Sequence, residues 1–239
     1  MSRNLALQDF NQEIHISHNQ IFTYCNCSLK YRFQYVEHRQ PERVNIALPF
    51  GSAIHAAIEM YYRSLKNHGH EESVTAICER FETCLELDLD NADVPVIFKK
   101  DLPDRKAAVE MGHAMLRAFH ENTVQTAQTA QQIVAVELPL TSTLYTEEGR
   151  ATEYKLAGIL DLVLRDESGE IVVVDNKTAA RPMAQGTANH DNQMTAYATL
   201  LAFGAGLLAP TRLGLRFIGF DRPRRYAFPQ QAFRLSFAP

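Results

Sequence analysis

The chain has 239 residues, 46% of them apolar and 22% charged, and a formal net charge of −4. That is enough chain for one large domain with a substantial core, and the balance is that of a soluble globular protein. No apolar run could span a bilayer and MSRNLALQDFNQE holds no secretory core, which points to the cytoplasm, and a globally basic nucleic-acid binder is excluded although a local basic patch is not.

In chain order, Ser17 and Gln20 have capping-box spacing, which predicts a helix over 17–26 with helical or turn structure to about 36. Lys30, Arg32 and Arg39 cluster here with Tyr31, Phe33 and Tyr35 between them. The charged stretch 37–49, with Pro41 and Pro49, reads as a loop. Ser52 then caps a helix over 52–67, where Ile54, Ile58, Tyr61 and Leu65 form the apolar stripe. His55, Glu59 and Tyr62 share a second face of that helix. Helices are expected near 71–90 and 104–126, joined by a loop at 91–103.

The pattern then changes. Strands are expected at 131–140, 153–166 and 171–178, a helix at 189–204, and late strands at 212–220 and 231–237. That order is an α/β pattern with a mixed central sheet. Cys25, Cys27, Cys78 and Cys84 have no disulfide or zinc spacing and read as structural thiols. Arg222, Arg224 and Arg225 form a second basic cluster.

The stretch IVVVDNKT at 171–178 raises the functional question, because a buried strand runs straight into charged residues. A three-residue hairpin loop, Glu167-Ser168-Gly169 with Gly169 left-handed, would pair Asp166 with Glu170. Counting back then sets Asp161 opposite Asp175, with Lys177 on the same face. A two-residue loop would shift the register by one and send Asp161 to the other face. Two facing carboxylates repel unless one is protonated or a cation lies between them. Mg²⁺ or Mn²⁺ prefers such oxygen donors, and a neighbouring lysine suits phosphodiester hydrolysis.

Six stretches stand in order along the chain: ISHNQIFTYCNCSLKYRF at 16–33, GSAIHAAIE at 51–59, VAVELPL at 134–140 with Glu137, GILD at 158–161, VVVDNKT at 172–178 and QMTAY at 193–197. With these motifs in order, the sequence resembles the PD-(D/E)XK nuclease superfamily in its RecB-like branch. The resemblance implies a restriction-endonuclease-like core, a mixed sheet flanked by helices. It implies one nuclease domain over 1–239, mainly helical over about 14–128 and α/β over about 129–239. His55, Asp161 and Asp175, with the backbone of Asn176, would hold Mg²⁺ or Mn²⁺, and Lys177 would be the catalytic lysine. Gln193 and Tyr197, with Glu59, Arg222, Arg224 and Arg225, would hold the substrate strand.

The implied activity is a metal-dependent deoxyribonuclease, an exonuclease on single strands or DNA ends. It would work alone or within a larger repair, phage or defence complex. A non-catalytic nucleic-acid-binding protein on the same fold is the alternative. Some relatives carry an iron–sulfur cluster on one early and three late cysteines. No cysteine follows Cys84, so no cluster is expected. Asn176 stands where relatives often have an aromatic residue, and no phosphate-binding loop of the G-x-x-x-x-G-K type occurs.

Overall fold

The computed structural model describes residues 15–125, 132–167, 169–179, 192–205, 212–219 and 231–234, the last two stretches as backbone. Strand β1, His15–Ser17, leads into helix α1, His18–Asn26, and the short helix α2, Ser28–Tyr31. A π-helical turn, Arg32–Val36, follows. The Ser17 box forms as expected: Gln20 N–H donates to Ser17 Oγ at 3.3 Å, and Ser17 N–H to Gln20 Oε1 at 2.6 Å. Two reciprocal bonds satisfy donors that the helix itself cannot.

Strands β2 (Val44–Asn45) and β3 (Val96–Ile97) form a small parallel pair inside segments expected to be loops. Helix α3 runs from Ala47 to His68, five residues earlier than its Ser52 cap suggests. Asn45 Oδ1 accepts the Ala47 N–H instead, at 3.0 Å. Pro49 then falls in the first turn, where its missing N–H costs nothing. Gly69 ends the helix in the left-handed conformation, φ 69°.

Helices α4 (Val74–Asp90) and α5 (Arg105–Gln125) complete a helical layer against α3. The core there is aromatic at its centre: Tyr61 meets Tyr62 and Phe119 edge-on at 5.3 and 5.4 Å, and Phe50 meets Phe81 at 5.5 Å. These are the favoured ring geometries.

Strands β4 (Ile133–Tyr145), β5 (Ala151–Arg165), β6 (Ile171–Ala179), β7 (Arg212–Gly219) and β8 (Gln231–Arg234) join β1 in a six-stranded mixed sheet. The hairpin register is the expected one: Leu162 pairs with Val174, and Gly169 takes φ 84° in the turn. Gly169 N–H donates to Asp166 O, and Asp166 N–H to Glu170 O, both at 2.9 Å. Strand β5 carries β4 along one edge. Its other edge carries β1 at Lys155–Ala157 and β6 at Leu162–Arg165, leaving 158–161 unladdered between them.

Two cores face opposite sides of this sheet. On one side α3, α4 and α5 pack on Ile133, Val136, Leu162, Leu164 and Val174. On the other, helix α6 (Asn192–Thr199) and its π-helical end, Leu200–Gly204, pack on Leu156, Leu160, Val163 and Val173. The architecture is therefore mixed α/β with a mixed sheet flanked by helices, as expected. Among the described residues no helix is long and apolar enough to cross a membrane.

The helical layer is packed to contact at Gly112, where an added Cβ would lie 2.0 Å from the ring of the fully buried Phe81. Gly112→Ala is expected to destabilise the protein by about 1–3 kcal/mol through overpacking. The measurement is a urea titration, with a lower midpoint at unchanged m-value.

Candidate active site

Three backbone features assemble the site. First, β6 parts from β5 beyond the Leu162–Val174 pair, and the amide of Asn176 turns to a side chain: its N–H donates to Asp161 Oδ2 at 2.8 Å. Second, β4 and β5 change faces at the same level. Leu138 and Leu160 face α6, whereas Val136 and Leu162, two residues along their strands, face the helical layer. Strict alternation forbids that. The residues between are Glu137 and Asp161, flanked by the Val136–Leu162 and Leu138–Leu160 pairs. Glu137 absorbs the change with φ 49°, a left-handed conformation that strains a non-glycine residue.

Third, α3 approaches the end of β6 closely. A Cβ at Gly51 would lie 3.2 Å from Thr178 Oγ1. One turn later His55 points back at the sheet, with Nδ1 3.3 Å from Asp161 Oδ2. The result is a cluster in which one donor atom each from His55, Glu137 and Asp161 lies within 4.8 Å of the others.

Asp175, only 2% exposed, lies on the α6 side. Its Oδ1 accepts from Gln193 Nε2 at 3.0 Å and from the Tyr197 hydroxyl at 3.2 Å. Lys177 Nζ lies 2.7 Å from Oδ2 and donates to Gln193 Oε1 at 2.6 Å. Gln193 Nε2 also reaches Tyr197 Oη at 2.7 Å. One amide thus ties the acid, the base and the phenol together. Gln193 and Tyr197 meet there because residues four apart share a helix face.

The expected ligand set was His55, Asp161 and Asp175. The structure brings His55 and Asp161 together with Glu137, while Asp175 is engaged by Gln193, Tyr197 and Lys177. The resemblance marks Glu137 as the acidic residue of its strand motif but gives it no place among the expected ligands. Only its left-handed backbone turns it toward Asp161.

Asn176 is buried and gives its N–H to Asp161, and its own buried Oδ1 has no hydrogen-bond partner among the described residues. Glu59, one turn beyond His55, is paired with Arg63 at 2.7 Å. Arg222, Arg224 and Arg225 lie outside the described residues. Cys25 is exposed on α1 and Cys27 at the junction of α1 and α2, whereas Cys78 is buried in α4 and burial pushes its thiol pKa up.

The electrostatics are those of a site short of positive charge. Burial, then the Asp175 and Glu137 carboxylates, hold the Asp161 carboxyl well above the usual range; the Asn176 N–H and Lys177 oppose this only in part. Burial and the same two aspartates push the Tyr197 phenol well above its ordinary value, so it remains a donor. A divalent cation fits the donor set: carboxylate oxygens plus one imidazole suit Mg²⁺ or Mn²⁺. Asp175 Oδ2 is a further buried oxygen that, among the described residues, accepts no well-directed hydrogen bond, although Lys177 Nζ lies 2.7 Å away.

Fold and site together define a mixed α/β protein with an acidic, lysine-bearing centre able to hold a divalent ion. The family follows: the profile of the PD-(D/E)XK nuclease superfamily matches residues 15–234, and the chain belongs to that superfamily. Its members hydrolyse phosphodiester bonds and use divalent metals, which suggests a metal-dependent nuclease here. A solved structure described as "Crystal structure of SSO0001" is similar over 90% of this chain and 80% of its own, at 13% identity and a TM-score of 0.33. That superposition is too loose to bear on the site. No curated protein matches significantly.

A cation must displace the proton that the raised Asp161 pKa retains. The thermal shift produced by Mn²⁺ is therefore expected to be larger at about pH 7.5 than at about pH 5.5. Without metal the sign reverses: a carboxyl raised in the fold costs stability as pH rises from the ordinary carboxylate range toward its folded value. Asp161→Asn is thus expected to raise the metal-free Tm near neutral pH. It should also abolish the Mn²⁺ shift. Differential scanning fluorimetry checks both.

Proposed function

We propose that this protein is a metal-dependent deoxyribonuclease of the RecB-like branch, acting as an exonuclease on single strands or DNA ends. The observation that carries the reading is the meeting of His55, Glu137 and Asp161 beside Asp175 and Lys177 at the splayed end of β5 and β6. His55, Glu137 and Asp161 hold Mg²⁺ or Mn²⁺, with Asp175 Oδ2 and the Asn176 backbone as the donors available to complete the set. When bound, the cation polarises the phosphoryl group and offsets charge on the departing oxygen.

The protein's own groups do the rest. Lys177, held by Gln193 and Asp175, orients the attacking water and counters the charge that builds on the phosphorus centre. Gln193 and Tyr197 keep Asp175 in one orientation, and Tyr197 stays protonated to do so. Arg222, Arg224 and Arg225 are assigned to the strand's phosphates, so binding weakens as salt rises. The order of motifs from His55 to Tyr197 supports the RecB-like branch. The reading places the protein in the cytoplasm, alone or within a repair, phage or defence complex.

The test is cleavage of end-labelled single- and double-stranded DNA with Mn²⁺, with Mg²⁺ and with EDTA. Cleavage is expected with either metal and none with EDTA. Lys177→Ala is expected to lower kcat by about 10²–10³-fold while metal binding persists. DNA binding without metal-dependent cleavage would instead favour a non-catalytic protein on this fold.

A further inference from the structure

The helical run from His18 to Val36 holds no buried side chain. Phe22, Tyr24, Leu29 and Val36 are each more than half exposed, at 56, 59, 55 and 61%. Elsewhere helices of this protein bury an apolar stripe, so an amphipathic surface left bare calls for an occupant. The run is firmly seated. Strand β1 pairs with β5 at Lys155–Ala157, the Ser17 box fixes its start, and α1 packs against α6, the helix that carries Gln193 and Tyr197.

Two features identify the occupant. The first is charge. Residues 15–36 contain no aspartate or glutamate but include Lys30 and Arg32, in a chain whose net charge is −4. Arg39 follows, stacked over the Phe33 ring at 4.2 Å, and Glu37 is shared between Arg32 and Arg39. The second is the arrangement of rings. Tyr24, Tyr31 and Tyr35 form a file, with centroids 5.4 and 5.2 Å apart. Phe22 stands on the same helix as Tyr24, beside His18 at 6.1 Å.

Bare aromatic faces amid three cations, with Glu37 the one acid within 15–39 and bridging Arg32 and Arg39, leave a net positive strip that matches a polyanion offering flat apolar faces. Unpaired bases stack on aromatic rings in any sequence, while neighbouring cations follow the phosphates. A duplex keeps its base faces stacked and out of reach.

We propose that residues 18–39 form a platform that holds single-stranded nucleic acid, with Phe22, Tyr24 and Tyr31 stacking bases and Lys30 and Arg32 on the backbone. Through α6 the platform leads the strand to the site. This rests on the nuclease reading for its purpose, but its test does not depend on catalysis.

The experiment is fluorescence anisotropy of a labelled thymidine oligonucleotide of about 20 nucleotides, in EDTA, with the full chain. Tyr24→Ala and Phe22→Ala are each expected to weaken binding about tenfold. Tyr24→Phe, which keeps the ring, is expected to bind like wild type. Lys30→Gln is expected to reduce the slope of log K against log salt by about 0.7, one phosphate's share for a single strand. Affinity for a blunt duplex is expected to change little. Wild-type affinity in a folded Phe22→Ala/Tyr24→Ala double variant would overturn the platform and leave that face to a protein partner, without touching the nuclease reading. Tight binding by a wild-type protein that never cleaves would have the opposite meaning.

Discussion

Everything at the site depends on the largely buried carboxylate of Asp161. It accepts the Asn176 amide where the β5–β6 ladder stops, meets the His55 ring, and faces two other acids. A backbone N–H and one lysine cannot neutralise three carboxylates at low dielectric. Asp161 sits where the layers packed on the two faces of the sheet meet, its Oδ2 accepting the Asn176 N–H and lying 3.3 Å from His55 Nδ1. The acid surplus is thus a consequence of topology, and it makes the site a receptor for positive charge.

The same topology explains the division of labour. The helical layer supplies His55, brought in by the close approach at Gly51. The opposite layer supplies Gln193 and Tyr197, which grip Asp175 and Lys177. Strand residues that alternate cleanly reach one face only. At Glu137 and Asp161 the alternation breaks, so groups from both layers meet at one level of the sheet. The strain at Glu137, of order 1–3 kcal/mol for such a backbone, is sustained by the strands around it.

What could be read from the residues was chiefly local. Ser17 and Gln20 specify their own cap, and the turn ending in Gly169 specifies the register that sets Asp161 and Asp175 at the same level. Acids and a lysine after an aliphatic run signal chemistry because charge at the end of a buried strand is costly. What escaped has distant partners. The short strands β1, β2 and β3 exist only through pairing with remote segments, and the early start of α3 is accompanied by the Asn45 side chain accepting the Ala47 N–H ahead of Pro49. The turn of Glu137 toward Asp161 has no signature in VAVELPL, because a left-handed residue inside a strand is imposed by neighbours rather than by its own preference.

The site therefore has two landlords. One half of its furniture is bolted to the helical layer and the other to α6, and the sheet is the wall between them. A small slide of either layer, too slight to unfold anything, would move the imidazole relative to the lysine. Damage to this protein's chemistry need not begin anywhere near its reactive groups: a repacked side chain deep in either core is enough to misalign them.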